Sequence, residues 1–109
     1  MAGKFECTVS KAGKHRFNLK AANGQVILTS QGYNDKAGCR NGIDSVRKHS
    51  ANAANFEKKT ATDGKAYFVL KASNGQVIGT SQRYASQASC NNGIASVQRH
   101  APEAKHVEV

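Results

Sequence analysis

An α+β fold built from two tandem β3-α-β-type units is what the sequence predicts, with one mostly antiparallel sheet and two helices on one of its faces. Three observations carry this. The stretch Asn23 to Tyr33 (NGQVILTSQGY) returns 51 positions later as Asn74 to Tyr84 (NGQVIGTSQRY), and 25 of 47 positions are identical between residues 5–51 and 56–102, the signature of a duplicated unit. Apolar residues recur at every second position through the first half of each copy and at helical spacing through the rest. Glycine-containing turn signals separate the alternating runs.

In the first unit Phe5 to Val9 alternates as a half-buried strand does. Lys11-Ala12-Gly13 offers a three-residue hairpin loop with Gly13 in the left-handed position, which sets Val9 opposite His15, Cys7 opposite Phe17 and Phe5 opposite Leu19. The second strand, His15 to Ala21, turns Phe17, Leu19 and Ala21 inward. Asn23-Gly24 reads as a two-residue type I′ turn, whose register sets Ala21 against Val26, Lys20 against Ile27 and Leu19 against Leu28. Thr62-Asp63-Gly64 and Asn74-Gly75 repeat both turns, with Ala72 against Val77 and Leu70 against Gly79. Each unit therefore opens as a three-stranded meander.

After Tyr33 the spacing of Cys39, Ile43 and Val46, repeated in Cys90, Ile94 and Val97, predicts a helix with one buried face. Asp35 and Ser86 are its N-caps in the two units. Gly42 and Gly93 fall inside these helices, where glycine costs about 1 kcal/mol relative to alanine. Close approach of helix to sheet is the simplest reason for them, and a ligand pocket beside the helix is the alternative. His49 and His100 lie in the last turn, where a partly charged imidazole complements the helix dipole. Phe56 to Thr60 then opens the second unit, and Pro102 helps end the second helix. The tail, Lys105 to Val109, alternates once more and aligns Val107-Glu108 with Phe56-Glu57 and Phe5-Glu6. The whole reads β3-α-β3-α-β, as a single domain with repeats at about 1–51 and 52–102 and a C-terminal strand in 103–109.

These residues resemble a known family. The combination of Phe5-Glu6, Gly13-Lys14, Phe17 to Ala21, Asn23 to Ile27, Thr29 to Tyr33 and Asn41 to Val46, each matched 51 residues later, is similar to that of the YegP-like family of small bacterial proteins. The resemblance covers nearly the whole chain. It implies a β3-α-β unit occurring as a tandem pair, or as a dimer of single units, with the two units forming one continuous sheet and their C-terminal strands exchanged: Phe56 to Thr60 links the units, and Val107 to Val109 pairs with the other unit. It brings no agreed activity, cofactor or substrate.

Bulk properties narrow the function classes. No apolar run reaches the roughly 20 residues that span a bilayer, and the residues from Met1 lack the apolar core of a secretory signal, so the expectation is cytoplasmic with no membrane partner. The three cysteines, Cys7, Cys39 and Cys90, are too few and too widely spaced for a disulfide framework. Buried free thiols are the favoured reading of Cys39 and Cys90. No Cys-x-x-Cys or His-x-x-x-His supplies a metal site. The net charge is +9, which raises nucleic acid and other anionic partners as candidates.

An enzyme is disfavoured, since only Glu6 and Glu57 among the acidic residues recur as acids in both units, and no nucleophile–base spacing or phosphate-cradling glycine loop is present. No catalytic residue and no cofactor is expected. The expected function is a non-catalytic binding module. If both helices cover one face of the sheet, the other face shows Arg16, Asn18, Lys20, Ile27, Thr29 and Gln31, and Tyr67, Val69, Lys71, Ile78, Thr80 and Gln82. With Lys14 and Lys65 at its edge, this face offers Lys14, Arg16, Lys20, Lys65, Tyr67 and Lys71 as candidates for single-stranded nucleic acid, cations meeting phosphates and the ring stacking on a base. The alternative is a protein partner or self-association through this face or a free edge strand, although the tandem pair is expected to mimic a dimer within a monomer. A second candidate set, Gln31, Tyr33, Asn41, Gln82, Tyr84 and Asn92, lies at the strand-to-helix junctions and would line a small-ligand pocket.

Overall fold

A computed structural model describes residues 3–108. Its elements follow the expected order: β1 (Lys4–Val9), β2 (His15–Lys20), β3 (Val26–Ser30), α1 (Lys36–His49), β4 (Phe56–Thr60), β5 (Ala66–Lys71), β6 (Val77–Thr80), α2 (Gln87–His100) and β7 (Lys105–Glu108), with a 3-10 turn at Ala53–Asn55. The seven strands form one sheet in the order β4-β5-β6-β3-β2-β1-β7. All pairings are antiparallel except β1 with β7, which is parallel. The units join where Thr29 pairs with Thr80, residues that are each other's repeat equivalents, so a local two-fold axis passes through this pair. The C-terminal strand is exchanged as expected: Lys105–Glu108 follows the second helix yet lies against β1 of the first unit. Val109 lies outside the described residues.

The first hairpin has the register read from the sequence, with Phe5 opposite Leu19, Cys7 opposite Phe17 and Val9 opposite His15. The second differs. Among the described residues none but glycine has positive φ, so Asn23 does not adopt the type I′ geometry. Instead Gly24 N–H donates to Ala21 O at 2.9 Å and Ala21 N–H donates to Gln25 O at 2.9 Å, with Gly24 at φ +86°. This is the same three-residue loop that closes β1 and β2 around Gly13. It moves Lys20 opposite Val26, while Leu19 still faces Leu28. Ile27 is therefore the extra residue of a bulge. The second unit repeats the irregularity, with Lys71 opposite Val77 and Leu70 opposite Gly79, leaving Ile78 as the extra residue.

Both helices pack on one face, α1 against β2, β5 and β6, α2 against β3 and β5. Asp35 Oδ1 accepts from Gly38 N–H at 2.7 Å and Ser86 Oγ from Ser89 N–H at 3.1 Å, which caps each helix start. One buried cluster draws on both units, including Phe5, Phe17, Leu19 and Leu28 with Phe56, Phe68, Leu70 and Val97. Gly42 and Gly93 are places of close approach, as anticipated. The partner, however, is a ring: Tyr33 lies over Gly42 and Tyr84 over Gly93.

The histidine that closes α1 also makes a contact beyond its own helix. His49 Nδ1 lies 2.8 Å from Ser45 O, and Ser73 N–H donates to Nε2 at 3.3 Å. His49 thus ties the end of α1 to the turn between β5 and β6 of the other unit.

Candidate functional site

The helix-free face is organised by the row that crosses the two-fold axis. Glu57, Val69, Thr80, Thr29, Asn18, Glu6 and Val107 lie side by side on successive strands. Ile27 and Ile78 do not belong to this face. Both are 5 % exposed members of the core cluster, and each lines a cleft walled by a helix of the opposite unit, Ile27 beside Ser96 and His100, Ile78 beside Gly42 and Ser45. The bulges turn them there. Of the apolar residues expected on the open face, Val69 stays there, itself 5 % exposed under its neighbours.

The six predicted contacts do not form one patch. Lys20 and Tyr67 lie on one side of the central row, Arg16 and Lys71 on the other, because β2 and β5 run in opposite directions. Lys14 and Lys65 occupy loops at opposite ends of the sheet, and Lys14 Nζ is bound to Asn34 Oδ1. Lys20 and Lys71 are also paired. Glu6 sits 3.0 Å from Lys20 and 3.2 Å from Lys4. Glu57 contacts Lys71 and lies 3.6 Å from Lys59. The hydrogen bond from Lys20, then that from Lys4, holds the Glu6 carboxyl below the usual carboxylate range, and Lys71, then Lys59, does the same for Glu57. This is the structural context of the only acids retained in both units. Each takes charge from two lysines and leaves an excess of one.

What the sequence reading missed is a line of cations across the exchanged strand. Lys105 pairs with Lys4 and Lys4 with Lys20, so three lysines stand in line on adjacent strands, whose backbones run about 4.8 Å apart. Tyr67 and Lys59 lie at the same level further across the sheet. A cleft of about 410 Å³, lined by Lys4, Lys105, Val107 and Gly24 among others, opens beside the line. The second unit has Asn55 where Lys4 stands, and among the described residues no strand lies beside it in the place of β7.

At the junctions, Gln31, Tyr33 and Asn41 do come together, lining a cleft of about 290 Å³ with Ala72, Val77 and Ile78 of the other unit. Burial pushes the Tyr33 phenol up from its ordinary value, with Cys39 adding to this and Gln31 opposing it. Burial likewise raises Tyr84, opposed by Gln82. Each ring is stacked on a core phenylalanine, Tyr33 on Phe17 and Tyr84 on Phe68, with centroids 6.3 Å apart. Both rings thus pack over the edge of the core. Asn41 and Asn92 are exposed. Among the described residues no group of three or more His, Cys, Asp and Glu could hold a metal ion, and no helix is long and apolar enough to cross a membrane.

Comparison with known proteins matches this architecture. The family model described as Domain of unknown function (DUF1508) matches twice, at residues 10–57 and 61–108, two matches offset by the repeat period. A UPF0339 protein from the ptx operon 5′ region of Stutzerimonas stutzeri is 56 % identical over 109 residues, covering 100 % of this chain and 98 % of that one. The UPF0339 protein YegP of Escherichia coli (strain K12) is 52 % identical over 98 residues, covering 90 % of this chain and 89 % of its own. The chain belongs to the UPF0339, or YegP-like, family. The family fold is equally plain in three dimensions: the solution structure of Escherichia coli YegP superposes with a TM-score of 0.94 at 47 % identity, covering 99 % of this chain and 93 % of that one. The solution structure of a UPF0339 protein from Shewanella oneidensis gives 0.93 at 44 % identity, covering 99 % and 92 %. The fold of this chain, with its tandem units in one sheet, is thus shared with these family members.

Proposed function

We propose that this family member is a non-catalytic binding module that takes single-stranded nucleic acid on the helix-free face of its sheet. The observation that carries the reading is the line Lys105, Lys4 and Lys20 on three adjacent strands, with Tyr67 at the same level to offer a stacking surface. Phosphates meet the lysines, and the single ring and the paired glutamates keep the affinity low and sequence-tolerant. The charge balance sharpens the test. Glu6 competes with phosphate for Lys4 and Lys20, so Glu6→Gln is expected to strengthen binding, whereas Lys20→Glu with Lys105→Glu is expected to abolish it. Anisotropy titrations with a short labelled oligothymidylate across salt concentrations measure this. Three to four phosphate contacts give a slope of about −2 to −3 in log K against log salt. Amide shifts confined to the helix side, or a Glu6→Gln variant that binds no better than the parent, would rule the reading out.

A second reading, self-association, rests on an asymmetry. The edge of β1 is covered by β7, while its repeat equivalent β4 ends the sheet, with Lys58, Lys59 and Thr60 exposed. Such an edge can pair with β4 of a second copy to extend the sheet. Light scattering over a concentration series is expected to show the mass rising towards twice that of one chain. A constant monomer mass rejects this reading without touching the first.

A further inference from the structure

Three side chains far apart in the sequence meet at the covered edge of the sheet. Cys7 Sγ lies 3.5 Å from Cys39 Sγ and 3.1 Å from His106 Nε2. The fold brings them together in a definite way. Cys7 faces the helices because it pairs with Phe17, and Cys39 is buried on the inner side of the first turn of α1. The parallel pairing of β7 on β1 sets His106 opposite Phe5, on the same face as Cys7. Cys7 and His106 are half-buried, so a small reagent can reach them, whereas Cys39 is 1 % exposed.

The duplicate unit shows that the framework does not need this cluster. Lys58 occupies the position of Cys7, in the same register against Phe68. Cys90 is buried as Cys39 is, and burial pushes its thiol up, with neither a second thiol nor an imidazole bonded to it among the described residues. One cysteine per helix therefore belongs to packing. The pair Cys7 and His106 is added to one of them only. Two thiols and an imidazole in contact are the parts of a dithiol with a base.

We propose that Cys7 is a nucleophilic thiol, His106 its base and Cys39 its resolving thiol, forming a site of thiol–disulfide exchange with low-molecular-weight disulfides. The Cys7 proton passes to His106 Nε2 as the Cys7 sulfur attacks one sulfur of the small disulfide. The small disulfide's S–S bond breaks, and its departing thiolate takes the proton back from the imidazolium. The Cys39 sulfur then attacks the Cys7 sulfur, expels the second small thiol with the proton that Cys39 carried, and closes a Cys7–Cys39 disulfide. Two protein thiols are oxidised and one small disulfide is reduced to two thiols. Closure requires the sulfurs to move from 3.5 Å to about 2.0 Å, a side-chain rotation at the half-buried Cys7.

The test uses the full chain and glutathione disulfide, read by mass spectrometry without reductant and by peptide mapping. The expected product is the intramolecular Cys7–Cys39 bond, with Cys90 still a free thiol. Cys39→Ser is expected to stop at a stable glutathione adduct on Cys7. His106→Gln is expected to slow the reaction of Cys7 at neutral pH by about tenfold or more, with its amide spectrum showing that β7 remains paired to β1. The proposal is overturned if the bond forms at the same rate in His106→Gln, if glutathione settles on Cys90 instead, or if the parent chain accumulates only the Cys7 adduct.

Discussion

Exchanging Leu28 and Gly79 in the double variant Leu28→Gly/Gly79→Leu is expected to recover most of the stability that either single change loses. These residues are repeat equivalents in the stretch where the two units are otherwise nearly identical. They sit beside the Thr29–Thr80 pair on the two-fold axis, and there the inward side chains of β3 and β6 compete for one space. Leu28 is fully buried, and a Cβ on Gly79 would lie 2.8 Å from Leu28 Cγ. One leucine fills the gap from either side and two cannot fit.

Each single change therefore fails for an opposite reason. Leu28→Gly opens a cavity, costing about 2–5 kcal/mol as for a buried leucine truncation, with a further 0.5–1 kcal/mol or so for glycine in a strand. Gly79→Leu overfills the core, at about 1–3 kcal/mol or more. Against a typical total of about 5–15 kcal/mol, either is severe. In the double variant the leucine enters the same volume from the other strand, and the two changes couple strongly. Urea unfolding should show the midpoint of the double variant well above both singles at unchanged slope. Losses that simply add would refute the shared-space account and the two-fold axis with it.

That rule of one leucine for two positions marks a limit of sequence reading. Local facts were legible. The β1–β2 register followed from the Gly13 loop, and the helix starts from Asp35 and Ser86, because each depends on neighbours a few residues away. The strand exchange came through the resemblance, supported by the third occurrence of the first-strand pattern in the tail. The bulge was missed because Asn23-Gly24 serves two turn types, and the choice rests on the φ of Asn23. Ile27 was accordingly assigned to the wrong face. The pairing of Glu6 with Lys20 was within reach, since Phe5 opposite Leu19 places both on the same face, and the retention of acids at positions 6 and 57 was the signal. The line through Lys105, and the meeting of His106 with Cys7, were out of reach without the parallel register of β7 on β1, which joins residues about a hundred positions apart.

Gly42→Ala reverses the sign usually expected of its kind. In the interior of an exposed helix the change from glycine to alanine stabilises by about 1 kcal/mol. Here the new methyl would lie 2.8 Å from Tyr33 Cζ and 2.9 Å from Phe17 Cε2. Phe17 is fully buried, with Phe5 edge-on to it at 5.7 Å and Tyr33 stacked on it at 6.3 Å, so the Phe17 ring has no room to retreat. The half-buried Tyr33 is the group that can yield, and doing so uncovers Phe17 and the cleft of Gln31 and Asn41. Overpacking of this sort costs about 1–3 kcal/mol, enough to outweigh the helix gain, and each net kcal/mol lowers the melting temperature by about 4–8 °C in a chain of this size. Two readouts separate this account from a general intolerance of alanine. In a Tyr33→Ala background the contact with the Tyr33 ring is gone and Phe17, no longer stacked on it, gains room to yield, so Gly42→Ala should become neutral or stabilising. In the single variant the Tyr33 phenol, raised in the parent by burial, should titrate at lower pH as the ring swings towards water, which NMR of the ring protons would follow. Gly93, whose Cβ would meet Tyr84 Cζ at 2.7 Å and Phe68 Cε2 at 3.1 Å, should repeat both effects in the second unit. A stabilised Gly42→Ala single variant would show that the ring gives way freely, and that sealing the core is not what holds Tyr33 over the helix.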